Sequence, residues 1–168
     1  MCKFLFIATV ALASLNAVAQ SPASGMGEFL AFLAQADAAQ NELQDGKPAA
    51  YKALWSHADD VTLSGGFGGT IEKGWEMVSK RLDWAGSQFT NGTNKIERVT
   101  TGTSGDLAYL IQYEHIRFIP PGQKAESSKD YRVTMIFRRE NGSWRIVHRH
   151  ADSQMTKQSS QPSPTTKP

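Results

Sequence analysis

Near its end the chain reads WRIVHRHAD, Trp144 to Asp152, which sets His148, His150 and Asp152 at alternate positions. In an extended strand, residues two apart share a face, so a strand here gathers two imidazoles and a carboxylate into one row. A neutral imidazole oriented by a carboxylate has a defined tautomer and titrates near neutral pH, as a general base requires. Trp144 and Ile146 have the same parity as the row. Counting by twos therefore assigns His148, His150 and Asp152 to the inner face as catalytic candidates, and Arg145, Val147 and Arg149 to the outer one. A hydrogen-bonded histidine pair that only closes a pocket mouth is the plainer alternative. His-x-His on a strand is also a metal-ligand spacing, but a site needs further ligands. His115, His57 or Asp152 could serve; no spacing ties them to the pair, and no metal is expected.

Other motifs are fewer. GGFGG, Gly65 to Gly69, has no Gly-Lys-Ser/Thr ending and is a poor phosphate loop. It reads as a bend between strand and helix, or as a pocket rim whose Phe67 covers a ligand. Trp75, Trp84, Tyr109 and Tyr113 read as core or pocket-wall aromatics. No GxSxG elbow, HExxH helix or dinucleotide fingerprint is present, and no cofactor is expected. Asn91-Gly92 and Asn141-Gly142 fit glycosylation triplets and equally well plain Asn-Gly turns.

The elements that must position these residues begin after an N-terminal secretion signature. Lys3, the apolar run from Phe4 and the small-residue site Ala17-Val18-Ala19 predict a signal peptide over 1–19, and hence a secreted or periplasmic protein. The run is too short to span a bilayer, so no membrane partner is expected once it is removed. The single cysteine, Cys2, leaves with it, which excludes disulfides and cysteine nucleophiles from the mature chain. Loss of Lys3 lowers the formal charge from +2 to +1, too balanced to attract nucleic acid. Residues 20–26 read as a short linker, 27–152 as one domain, and 153–168, rich in Ser, Thr, Gln and Pro, as a disordered polar tail.

Within the domain, Phe29, Phe32, Leu33, Ala36 and Leu43 mark one face of a helix that Gly46 ends. A second, shorter helix follows Pro48, with Tyr51, Leu54 and Trp55 on its inner side. Val61 to Ser64 reads as a short strand, and from Thr70 the spacing of Ile71, Trp75, Val78 and Leu82 is helical. After a turn at Asn91-Gly92 the texture changes to strands: Thr93–Thr100, Asp106–Ile119, Lys129–Arg139 and Trp144–His150. The short ENG link makes the last two an antiparallel hairpin. Arg132 and Arg138 alternate with Val133, Met135 and Phe137. They read, with Arg145 and Arg149, as an outer face that is either solvated or a dimer interface.

The first helix, the passage ALWSHADDVTL, the Gly-rich loop, EKGWEMVSKRLDWA and the closing hairpin YRVTMIFRRENGSWRIVHRHAD together resemble the nuclear transport factor two-like superfamily, in particular its SnoaL-like and ketosteroid isomerase-like members. The resemblance implies an α+β fold, a cone-shaped barrel of a curved, mostly antiparallel sheet packed on three N-terminal helices. It also implies a mostly apolar pocket holding a small organic ligand, with Phe67, Trp75, Trp84, Tyr113 and Met135 as lining candidates. The outer face, which mixes Arg132, Thr134, Ile136 and Arg138 with Arg145, Val147 and Arg149, separately predicts a homodimer. The isomerase machinery is not kept: its base position falls on Ser64-Gly65, its oxyanion acid near Met135 and its tyrosine near Ala39. Two functions fit: a small-molecule binder with histidine acid–base chemistry of isomerase, cyclase or dehydratase type, or a non-catalytic binding or assembly module.

Overall fold

The computed structural model describes residues 22–153; the segment read as a signal peptide and all but the first residue of the polar tail lie outside the described residues. Helix α1 (Pro22–Gln44) begins inside the stretch read as a linker. It buries Phe29, Phe32, Leu33, Ala36, Ala39 and Leu43 along one face. Gly46 stops it with φ 79°, a left-handed conformation that glycine adopts without steric cost. The Lys47 amide then reaches back to the Glu42 carbonyl at 2.8 Å and satisfies an otherwise orphaned helix-end acceptor.

Helix α2 (Ala49–Ala53) buries Tyr51. Strand β1 (Thr62–Ser64) pairs with a two-residue strand β2 (Glu72–Lys73). The helix expected from Thr70 starts later, as α3 (Trp75–Gly86), because Gly74 at φ 80° and ψ 150° stands outside helical geometry at its N-cap. Ile71 is consequently 67% exposed and not part of the apolar stripe.

Four long strands follow: β3 (Thr90–Ser104), β4 (Leu107–Ile119), β5 (Ser127–Glu140) and β6 (Ser143–Asp152). The turn expected at Asn91-Gly92 is instead an irregularity inside β3, between Thr90 and Thr93, with Asn91 at φ 49°. The ENG link is a two-residue hairpin turn: Glu140 pairs with Ser143 across Asn141 (φ 49°) and Gly142 (φ 80°), the two positive angles of a type I′ turn.

The six strands form one mixed sheet in the order β2-β1-β6-β5-β4-β3, with only β1 and β6 parallel, and the sheet is not closed. Its inner face is set by alternation. Ala108, Leu110, Gln112, Glu114, Ile116 and Phe118 of β4 are buried, as are Tyr131, Val133, Met135 and Phe137 of β5. Helix α1 packs there, with Phe29 at 5.0 Å and Phe32 at 5.8 Å from the Phe137 ring in edge-on contacts.

Candidate functional site

Strand β6 departs from simple alternation. Ile146 pairs with Phe137 and His148 with the adjacent Ile136, so Val147 is an extra residue, a β-bulge. The inner parity therefore passes from Trp144 and Ile146 to Arg149 and Ala151, all buried. This corrects the face expected for the histidine row and for Arg149, while Arg145, which precedes the bulge, keeps the expected side. His148, His150 and Asp152 lie on the outer face, opposite Ile136, Thr134 and Arg132, and Arg149 points inward.

The inward turn of Arg149 is matched by an acid. Glu114, fully buried, receives Arg149 Nη2 on Oε2 at 2.8 Å. Gln40 Nε2 donates to the same oxygen at 2.7 Å, and Gln112 Nε2 donates to Oε1 at 2.7 Å. With both oxygens accepting, Glu114 fits the acceptor-only carboxylate. A half-buried pair, Arg98 Nη2 to Asp37 Oδ2 at 2.7 Å, lies close enough for Asp37 and Glu114 to act on one another. Burial raises the Asp37 carboxyl above its ordinary range even against the pull of Arg98.

Between α1, α2, α3 and the inner sheet face lies a half-open cavity with about 50 Å³ accessible to the centre of a water-sized sphere, inside about 490 Å³ of non-atom space that includes the open solvent at its mouth. Leu43, Leu63, Phe67, Leu82, Phe89 and Ile116 supply its apolar walls, and Gln40, Gln44, Tyr51, Tyr131, Arg149 and Arg81 its polar groups. The Tyr51 and Tyr131 hydroxyls, Gln44 Oε1 and Arg149 Nη1 are buried with no protein partner among the described residues. Burial pushes the Tyr131 hydroxyl up to about 12 and raises Tyr51 as well. Both therefore keep their proton at neutral pH and can donate it to a hydrogen bond. The Gly-rich loop forms one wall: Gly66 lies under the Tyr131 ring, where an added Cβ would come within 2.5 Å of Cζ.

Of the ligand-lining candidates, Phe67 is a cavity wall. Trp84 packs edge-on against Phe67 at 5.4 Å but is 42% exposed. Met135 is buried on the inner face outside the cavity wall, and Trp75 instead stacks on His57 at 4.0 Å. Tyr113 is on the outer face, where it shares a groove with Val99, Ile111, Arg132, His150 and Asp152. Arg132 pairs there with Asp152 at 2.6 Å. His115 lies elsewhere, bonded through Nδ1 to Asp130 at 2.7 Å, and no grouping of metal-ligating side chains occurs among the described residues. Glu114, Gln112, Gln40, Tyr51 and Tyr131 were not singled out from sequence. The available signal was Gln112 and Glu114 themselves, two polar residues on the apolar parity of β4.

The family model of the SnoaL-like domain matches residues 27–156. The chain belongs to the SnoaL-like domain family. A nuclear transport factor two-like protein from Salmonella enterica superposes on this SnoaL-like domain with a TM-score of 0.70 at 16% identity, covering 82% of this chain and 96% of the other. A candidate dehydratase of that superfamily from Streptomyces avermitilis gives 0.68 at 16%, covering 81% and 100%. A candidate calcium/calmodulin-dependent protein kinase II association domain from Xanthomonas campestris gives 0.63 at 18%, covering 89% and 99%. At these identities the likeness establishes the cone-type fold. No curated protein matches the sequence.

On the outer face, Thr62 Oγ1 and His148 Nδ1 lie 2.8 Å apart across the β1–β6 pairing. Burial, and next the neighbouring His150, hold His148 below its ordinary value of 6.5. The folded SnoaL-like domain thus binds this proton less readily than the unfolded chain does. The stability associated with neutral His148 is present above the unfolded value and is lost as the pH falls below it. His148→Gln is expected to lessen the loss of urea resistance on acidification from about pH 7.5 to about pH 5. Identical acid sensitivity in the variant and the parent would contradict this.

Proposed function

We propose that this SnoaL-like domain binds a small, largely apolar organic molecule in the cavity beneath its sheet. The observation that carries the reading is the meeting, in one half-open cavity, of apolar walls with buried polar groups that have no protein partner among the described residues. Unpaired buried groups each cost about 1–3 kcal/mol, so a cone meant only to be filled by its own side chains gains nothing from keeping four of them. The histidine row lies across the sheet from this space, so acid–base chemistry by His148 or His150 is not part of the proposal for the cavity. Mass spectrometry of material extracted from the purified protein is expected to recover an organic ligand from the parent. Ala85→Phe, which places a ring in the cavity wall, should lower the recovery several-fold. Equal recovery from the two proteins would place any ligand elsewhere.

We also propose that two copies associate through the outer sheet face. Leu107, Tyr109, Ile111 and Ile136 are 40–53% exposed and Val99 56%, and the pairings Tyr109 with Ile136 and Ile136 with His148 make them neighbours across three strands. Such a grouping, rimmed by Arg132, Arg138 and the histidines, suits a two-fold contact. Light scattering is expected to give a dimer for the parent and a monomer for Ile111→Glu, which sets a charge in the centre of the patch. A monomeric parent at micromolar concentration would count against the assembly.

A further inference from the structure

Resting on the reading of the cavity as a binding site, we propose that its occupant is a small organic acid. Its carboxylate would be held by Arg149 Nη1 and the Tyr51 and Tyr131 hydroxyls, and its apolar or aromatic body would lie along Leu43, Leu82, Phe67 and Phe89. The polarity of the missing partner follows from what is already bonded. Glu114 neutralises Arg149 but uses only Nη2, and its own oxygens are occupied by Arg149, Gln40 and Gln112. Three of the four unsatisfied groups in the cavity wall can donate: one guanidinium nitrogen, which only donates, and two hydroxyls, which can donate or accept. Arg149 and Glu114 both act electrostatically on each tyrosine, which places these groups in one neighbourhood.

A donor cluster beside a guanidinium calls for an acceptor with negative charge, because hydrogen bonds to ionised acceptors are about twice as strong as neutral ones. The remaining group, Gln44 Oε1, is an acceptor and would take a hydroxyl carried by the same molecule.

Two further cations lie at or beside the cavity. Arg81 lines the cavity, lies 4.3 Å over the Trp84 ring and donates to the Gly68 carbonyl at 2.6 Å. Lys129 sits 5.1 Å over Phe67. Neither forms an ion pair with a described residue. One cation in the cavity wall and one beside its Phe67 raise the local concentration of anions and disfavour organic cations.

The test uses the full chain with matched probes followed by calorimetry or ligand-observed NMR: benzoate against benzamide, and hexanoate against hexanamide. The acids are expected to bind about tenfold more tightly than the amides. Tyr51→Phe and Tyr131→Phe keep the rings and remove the unpaired hydroxyls, so both should fold at least as stably as the parent. Each should weaken the acids by about tenfold while leaving the amides within about twofold. Amides that bind as well as acids, with binding abolished by Ala85→Phe, would overturn the acid assignment and keep the cavity as a binding site. Acids whose binding ignores Ala85→Phe and both Tyr→Phe changes would overturn both readings. So would no binding of any probe up to about 10 mM.

Discussion

Arg149→Met is expected to destabilise the domain by about 3–5 kcal/mol, because it leaves the Glu114 carboxylate buried without its counter-charge. Methionine fills much of the space of the arginine stem, so packing is largely kept and the loss is electrostatic. Glu114 is fully enclosed, and its remaining partners, the Gln40 and Gln112 amides, carry no charge to compensate it. Adding Glu114→Gln to Arg149→Met removes the stranded charge and should recover a large part of the loss, since a buried pair deleted as a unit costs far less than half of it. Urea unfolding of the two single variants and the double variant measures this. A loss below about 1 kcal/mol for Arg149→Met would show that the carboxylate finds water or a proton instead.

A comparable loss, about 3–5 kcal/mol, is expected for Phe137→Ala. Phe137 is fully buried in the middle of β5, and the rings of Phe29 and Phe32 meet it from α1. Truncation removes the wedge that joins the first helix to the sheet, and neighbours that are themselves rigid rings cannot collapse into the gap. Phe137→Leu, which keeps most of the volume, should cost well under half as much. Equal effects of the two changes on thermal midpoint would show that the site tolerates a void.

Much of the fold could be read from the residues because alternation and helical spacing are local signals. The six buried positions of β4 from Ala108 to Phe118 follow strict parity, and the apolar stripe of α1 follows its helical period. Parity failed at one place. Counting by twos from Trp144 is sound until Val147, where the extra residue reverses every later side chain. Nothing in WRIVHRHAD marks that bulge, since it depends on how β6 pairs with β5 and β1. The same slip concealed the site. Arg149 read as a surface cation and the histidines as pocket residues, whereas Gln112 and Glu114 on an apolar parity already implied a buried partner of opposite charge.

The edges of the sheet bear on how the domain meets its own copies. β3 is a long outermost strand, and such a strand ordinarily offers its backbone to a neighbouring chain for ribbon-like growth. Here α1 lies across its first half. Asn41 Oδ1 accepts the Asn94 amide at 3.1 Å, Asp45 Oδ1 accepts the Asn91 amide at 3.2 Å, and irregularities at 90–93 and 98–100 break the ladder. The opposite margin, β2, is only two residues long. Strand-to-strand growth is thereby disfavoured at β2 and along the covered half of β3, which leaves the broad outer face as the surface for the two-fold pairing proposed above.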